Sequence, residues 1–240
     1  MEEKDVKIGE AAKYLGVTEQ TLRNWDASGK FPARRSPGGT RYYLMEDPKR
    51  LRSDLPKLGW AWASSAQAPD ISDDFYCERQ DRFTSRLEKM AMTLLDVGVP
   101  EDTVSVLTQA VGEIGDNSFA HNIGQWPDVP GIFFAYDSGK QVVVLADRGQ
   151  GVRATLRRVR PELDTDADAL KVAFTEVISG RAAEKRGNGL KVVRRVAETG
   201  PISLEYRSGL GVVMIEKHGN RMEIGTTAEN VRGTYAVITY

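Results

Sequence analysis

Residues 142–152, VVVLADRGQGV, constrain the fold more than any other stretch. An apolar run bounded by turn-forming residues reads as a strand buried on both faces, because a half-exposed strand would alternate. The run ends in Asp147, and Gly149 and Gly151 follow one residue apart. Glycine tolerates φ > 0 and lets a backbone approach a ligand closely, so the stretch looks like the floor of a nucleotide pocket with Asp147 facing the cleft. An acidic, glycine-rich turn is also an ordinary way to end a strand. The other segments must decide between the two readings.

A doubly buried strand requires a full core, and 240 residues suffice for one plus a small second domain. Hydrophobic residues at 40% and charged residues at 28% are ordinary for a soluble globular chain. No apolar run approaches the ~20 residues of a membrane helix, and the N-terminal MEEKDVKIGE lacks the apolar centre of a signal peptide. The expected location is therefore the cytoplasm, with no membrane partner. The single cysteine, Cys77, excludes an intramolecular disulfide, and together with two histidines it cannot supply a Cys/His zinc cluster. The net charge of −1 hides a local asymmetry, since residues 27–45 hold Lys30, Arg34, Arg35 and Arg41 and no acidic residue. So local a basic patch points to a specific anionic contact.

Near the N-terminus, IGEAAKYL places Ile8, Ala11, Ala12 and Leu15 on one face at helical spacing, with Gly16 where a C-terminal cap belongs. Thr18 is the expected N-cap of a second helix, EQTLRNWDAS, in which Leu22 and Trp25 point inward. Gln20, Thr21, Arg23 and Asn24 stay outside. Two short helices joined by Gly16-Val17 make a helix-turn-helix, whose second helix enters the major groove and reads base edges through such side chains. The next segment, KFPARRSPGGTRYY, alternates basic and aromatic residues around a Pro-Gly-Gly turn and reads as a β-hairpin wing. Arg34, Arg35 and Arg41 would contact phosphates there. In order and spacing, residues 7 to about 51 resemble the MerR/excisionase type of winged helix-turn-helix. That resemblance implies double-stranded DNA as a partner and, usually, a homodimer. A small protein-interaction module with a solvated basic loop is the competing reading.

Residues 54–76 are aperiodic and fit neither a helix nor a strand template, so residues 56–77 are expected to link domain 1–55 to domain 78–240. Trp60 and Trp62 within it should dock on a domain or on a partner chain. Residues 78–96 read as a connecting helix with Phe83, Leu87, Met90, Leu94 and Leu95 on one face. A longer helix over residues 101–122 buries Leu107, Val111 and Ile114, and carries Glu113, Asn117 and His121 at steps of four along one stripe. That stripe is either a solvated face, or a carboxylate positioning water beside a phosphate with an amide oxygen ligating a hard cation such as Mg²⁺. Residues 131–137 and 141–147 read as paired strands. Residues 153–186 contain one helix bearing Leu170, Ala173, Phe174, Val177 and Ile178, and are either a mobile lid or a surface excursion. Gly187 and Gly189 then open a helix where backbone N–H groups can meet phosphate oxygens. Short strands are expected at 202–206, 212–216 and 235–239, with 221–224 as a further candidate.

Glu113-x-x-x-Asn117, Asp147-x-Gly149-x-Gly151, Gly187-x-Gly189-Leu190 and Gly233-Thr234 occur in the order of the four motifs of the GHKL ATPases, which residues 103–240 resemble. The resemblance implies ATP and Mg²⁺ as cofactors. Asn117 would coordinate Mg²⁺, Asp147 would accept from the adenine amino group, and Gly149 and Gly151 would shape the base pocket. Gly187, Gly189 and Leu190 would hold the phosphates, Thr234 would lie near the adenine, and Glu113 would be the catalytic base. Lys185 and Arg186 are further candidates for neutralising phosphate charge. No G-x-x-x-x-G-K-[ST] occurs, which excludes a P-loop.

The expected fold is α+β: a small winged helix-turn-helix domain followed by an α/β two-layer sandwich with a mixed sheet and helices on one face. The leading functional expectation is a cytoplasmic DNA-binding regulator switched by Mg-ATP binding and slow hydrolysis, with a possible regulatory partner protein. The alternative is an anti-sigma-type serine/threonine protein kinase acting on a partner. A self-contained sensor histidine kinase is not expected, because His121 and His218 both fall within the ATPase segment.

Overall fold

The structure, a computed structural model, describes residues 5–15, 19–27, 29, 31–45, 47–48, 54–177, 189–219 and 221–240. Expectations that rest on Gly16, Val17, Thr18, Lys30, Ile178, Lys185, Arg186 or Gly187 lie outside these residues.

The N-terminal part comprises β1 (Asp5–Lys7), α1 (Ile8–Leu15), α2 (Glu19–Ala27), β2 (Arg34–Arg35) and β3 (Arg41–Leu44). The two helices are amphipathic as their spacing requires, and Ala11, Ala12, Leu15, Leu22 and Trp25 join Val6, Phe31 and Tyr43 in one core. Phe31 stacks on Tyr43 with ring centroids 4.8 Å apart. The wing is an antiparallel hairpin in which Arg34 opposes Tyr42 and Arg35 opposes Arg41. β1 adds a third strand in the order β1-β3-β2. It has three residues and one buried side chain, Val6, too few for a period to register in the sequence.

The segment expected to be an aperiodic linker contains a helix, α3 (Leu55–Ser64). Asp54 caps it by accepting from the Lys57 amide, and Pro56 sits in the first turn, where its missing N–H has no intrahelical partner to lose. Pro56 and Gly59 disguised the pattern as a loop. Both have local reasons to be there: a Cβ on Gly59 would lie 2.5 Å from Val144 Cγ1 and 3.3 Å from Phe133, so glycine lets α3 lie close on the sheet. Trp62 is buried, and Trp60 packs edge-on against Tyr235.

The remainder is built from β4 (Tyr76–Cys77), α4 (Gln80–Asp96), α5 (Glu101–Asn122), β5 (Ile132–Asp137) and β6 (Val142–Asp147). Then come α6 (Gly151–Leu156), α7 (Asp166–Thr175), α8 (Gly189–Thr199), β7 (Ser203–Ile215) and β8 (Met222–Thr239). The five strands run in the order β4-β5-β6-β8-β7. Each neighbouring pair is antiparallel, so the sheet is not the mixed one expected. Both of its faces are covered, again unlike the expectation. Alternation sends Ile132, Phe134, Val143, Leu145, Ala236 and Ile238 into the main core with Phe83, Leu107, Ile114 and Val193 of the helices. The intervening Phe133, Ala135, Val142, Val144, Ala146 and Tyr235 pack with Leu55, Leu58 and Trp62 of α3. β6 is therefore buried on both sides, as its unbroken apolar run demands.

Two long strands replace the several short ones expected at the C-terminal end. Register shifts between Arg207 and Gly209 and between Gly209 and Gly211 interrupt the alternation, and β8 stays half-exposed before Val231, so neither strand shows one continuous pattern. Within the expected lid, α6, α7 and the connection between them form a small cluster of Leu156, Leu163, Ala169 and Val172. α7 stops at Thr175, leaving Val177 62% exposed rather than inward. On α4, Leu94 takes the core position and Leu95 turns outward, since adjacent residues cannot share a helical face. Among the described residues no helix is long and apolar enough to cross a membrane.

Candidate functional site

Alternation along β6 dictates where its last residue points. Val143 and Leu145 face the helical layer, so Asp147 does too, at the end of the strand beside α5. The carboxylate is 1% exposed. Its Oδ2 accepts from Ser118 Oγ at 2.7 Å and Thr234 Oγ1 at 2.5 Å, and its Oδ1 accepts from the Gly149 amide at 2.8 Å. Burial nonetheless pushes its pKa above the usual carboxylate value, with the hydrogen bonds from Thr234, Ser118 and Gly149 opposing that shift. Gly233, on β8, closes this seat from the other side: a Cβ there would overlap Asp147 Oδ1 and come within 2.5 Å of the Gly149 nitrogen.

Above Asp147 opens a cavity of about 70 Å³. Of the residues singled out in the sequence, Asn117, Asp147, Gly151, Gly189, Leu190 and Thr234 line it, and so does His121. Gly149 lies beneath rather than in the wall, with the Asn122 side chain filling the space a Cβ would need. Glu113 stands one turn below Asn117 on α5 and does not line the cavity, but Gly189 brings α8 against both: a Cβ there would sit 2.7 Å from Asn117 Nδ2 and 2.8 Å from Glu113 Oε2.

Further residues in or beside the cavity carry no ligand-site signal of their own in the sequence. Ser118 sits between two of the expected stripe positions. Asn122 accepts from the Gln150 amide at 2.9 Å, fixing the glycine turn to α5. Val152, Leu156, Ala173 and Tyr206 supply an apolar slot. Burial, and after it the charge of Asp147, drives the Tyr206 phenol upward in pKa, so it is a neutral donor at physiological pH. Ser208 hydrogen-bonds the Val152 amide at 2.9 Å and Gly233 O at 2.8 Å, tying α6 to β8. Polar residues of this kind are legible only once tertiary structure brings them to one place.

The second expected site lies on the N-terminal domain. Gln20 donates to Asn24 at 3.0 Å and Arg23 pairs with Glu19 at 2.7 Å along the exposed side of α2. Arg34 is exposed, whereas Arg35 Nη2 and Arg41 Nε both reach Asp26 Oδ2 at 2.7 Å. Asp26 Oδ1 also accepts from the Ala33 amide at 2.9 Å. One carboxylate, 8% exposed, thus fastens the wing to the end of α2. Asp26 immediately precedes the basic run rather than interrupting it, so the sequence alone gives no sign of this clamp.

Residues 7–43 match the family model described as MerR family regulatory protein. This segment is a MerR-type helix-turn-helix, a DNA-binding domain. Neither the curated proteins nor the solved structures gave a match to the chain. In a MerR-type domain the Asp26 clamp has an electrostatic consequence. The Ala33 amide, and after it Arg41, hold the Asp26 carboxyl below its ordinary pKa. A depressed carboxyl stabilises the fold above its unfolded value, and that contribution disappears as pH falls through the folded one. Asp26→Asn should therefore cost about 1–2 kcal/mol at neutral pH, discounted because Arg35 and Arg41 are partly exposed. Thermal melting should find the two proteins converging in acid; a constant difference across pH would show that the ionised form is not what matters.

Proposed function

We propose that the chain is a DNA-binding regulator whose C-terminal domain is a GHKL-type nucleotide switch that takes ATP with Mg²⁺. One observation carries this reading: Asn117, Asp147, Gly151, Gly189, Leu190 and Thr234, from five separate elements, line a single cavity. The residues suit the ligand. Asp147 accepts from Ser118, Thr234 and Gly149 at the cavity floor. An adenine would bring its exocyclic amine toward this carboxylate, with the base lying in the slot of Val152, Leu156 and Tyr206. Gly189 opens α8, whose N-terminal amides favour phosphate, and the space its missing side chain leaves borders Asn117. Mg²⁺ would neutralise phosphate charge, with the Asn117 amide oxygen as its ligand from the chain.

Glu113, half-buried beside Gly189, would in this reading orient a water toward the terminal phosphate. Hydrolysis then serves as a slow reset. Phosphate release should fall at least about tenfold in Glu113→Ala while calorimetric MgATP affinity is retained. Unchanged release would remove Glu113 from the chemistry, and absence of binding in the wild type would remove the nucleotide reading altogether. A homodimer belongs to this reading, since MerR-type readers usually act in pairs.

A further inference from the structure

The residue after Asp147 faces the other way. Arg148 emerges on the sheet face that α3 covers, and its side chain is 0% exposed. A buried guanidinium is tolerated only when its donors are satisfied. Nε and Nη2 reach Asp128 Oδ2 at 2.8 and 2.5 Å, Nη1 donates to the Trp62 carbonyl, and Nη2 also lies 3.3 Å from the Ala66 carbonyl. The last two acceptors belong to the C-terminal end of α3 and the residues just past it. Asp128 is shared with Arg232 at 3.5 Å, next to the Gly233 that seats Asp147. Both strand segments flanking the Asp147 carboxylate are thus anchored behind the sheet.

The far side of α3 meets the DNA-binding domain. Ala61 is buried in the core that contains Trp25, and Leu58 and Ala61 share a small cleft with Leu15 and Trp25. Trp25 belongs to α2, the helix that carries Gln20, Arg23 and Asn24. We propose that Arg148 and α3 form a relay, in which movement of the Asp147–Gly151 turn on nucleotide binding shifts α3 and thereby α2. Arg148 acts here as a positioning residue. Its charge cannot be left unpaired in the interior, so displacement of the turn must carry the end of α3 with it. The relay rests on the nucleotide reading of the cavity.

The test measures two affinities on the full chain: calorimetric binding of a non-hydrolysable ATP analogue with Mg²⁺, and anisotropy titration of a labelled random-sequence DNA duplex with and without it. In the wild type the analogue should change DNA affinity at least about fivefold, and DNA should change analogue affinity by the same factor. Arg148→Lys keeps the charge but replaces the planar fork with a compact ammonium that cannot span Asp128 and both carbonyls. It should reduce the factor below about twofold while analogue affinity stays within about threefold. Ala61→Val, which overpacks the contact between α3 and the DNA-binding domain far from the cavity, should do the same, and decides the matter alone if Arg148→Lys does not fold. A wild type that binds the analogue with no change in DNA affinity overturns the relay and leaves the pocket reading standing. No analogue binding at all overturns both. A variant that keeps the full wild-type factor also overturns the relay.

Discussion

Asp147→Asn is expected to weaken MgATP binding severely and, at neutral pH, to make the protein more stable. The two effects share one cause. Asp147 is buried, and its ionised form is destabilised enough to raise its pKa, so the folded state holds a charge it would rather shed. Stability linked to such a group is fully present below the unfolded pKa and is lost as pH rises through the folded one. An amide of the same shape removes that penalty, while the hydroxyls of Ser118 and Thr234 can still hydrogen-bond to it. A gain of about 1 kcal/mol would raise the melting temperature by about 2–4 °C in a chain of this size. The gain should vanish in acid, where the wild-type carboxyl is protonated. For binding, the amide offers a donor where the ligand's amine also donates, and a charged hydrogen bond is lost. The expected weakening is about a hundredfold or more. Equal calorimetric affinities would detach Asp147 from the pocket reading.

Replacing Arg34, Arg35 and Arg41 together with Ala should produce the largest effect on DNA. Each arginine that neutralises a phosphate steepens the dependence of log K on log salt by about 0.9. The triple variant should therefore lose about two to three units of slope and bind roughly a hundred to a thousand times more weakly at moderate salt. Arg35 and Arg41 contribute even though Asp26 holds them, because each uses one nitrogen on the carboxylate and keeps the rest of its fork for phosphate. Anisotropy titrations of a random-sequence duplex across a salt series give the slope directly. An unchanged slope would mean the wing does not touch the backbone and would favour protein recognition by this face.

What could be read in the sequence was whatever left a local periodic trace. The apolar run of β6, the 3.6-residue spacing of α5 and the two amphipathic helices of the N-terminal domain each did so, and each forms where its pattern says. α3 was missed because Pro56 and Gly59 look like breakers until one sees that the first is in a first turn and the second lies against Val144. The site residues divide in the same way. Asp147 and Gly151 stand in a compact motif, whereas Ser118, Tyr206 and Thr234 become neighbours only through the antiparallel pairing of β7 and β8 and the packing of α5 on the sheet. Asp26 and Arg148 needed more still. An acidic residue beside a basic run and an arginine inside a glycine turn look solvent-facing in one dimension, yet their side chains are among the least exposed charged groups described.

The two-sided burial of α3 also limits where the chain can be divided. A C-terminal fragment starting after Ser64 would bare Phe133, Val144 and Tyr235 to water and strand the guanidinium of Arg148 without the Trp62 carbonyl. A fragment starting at Asp54 keeps those contacts but uncovers Leu58 and Ala61, while an N-terminal piece ending at Leu44 loses the lid over Trp25. Proteases that cut accessible loops should therefore spare this helix, and a transplanted DNA-reading module would have to bring a matching surface for it.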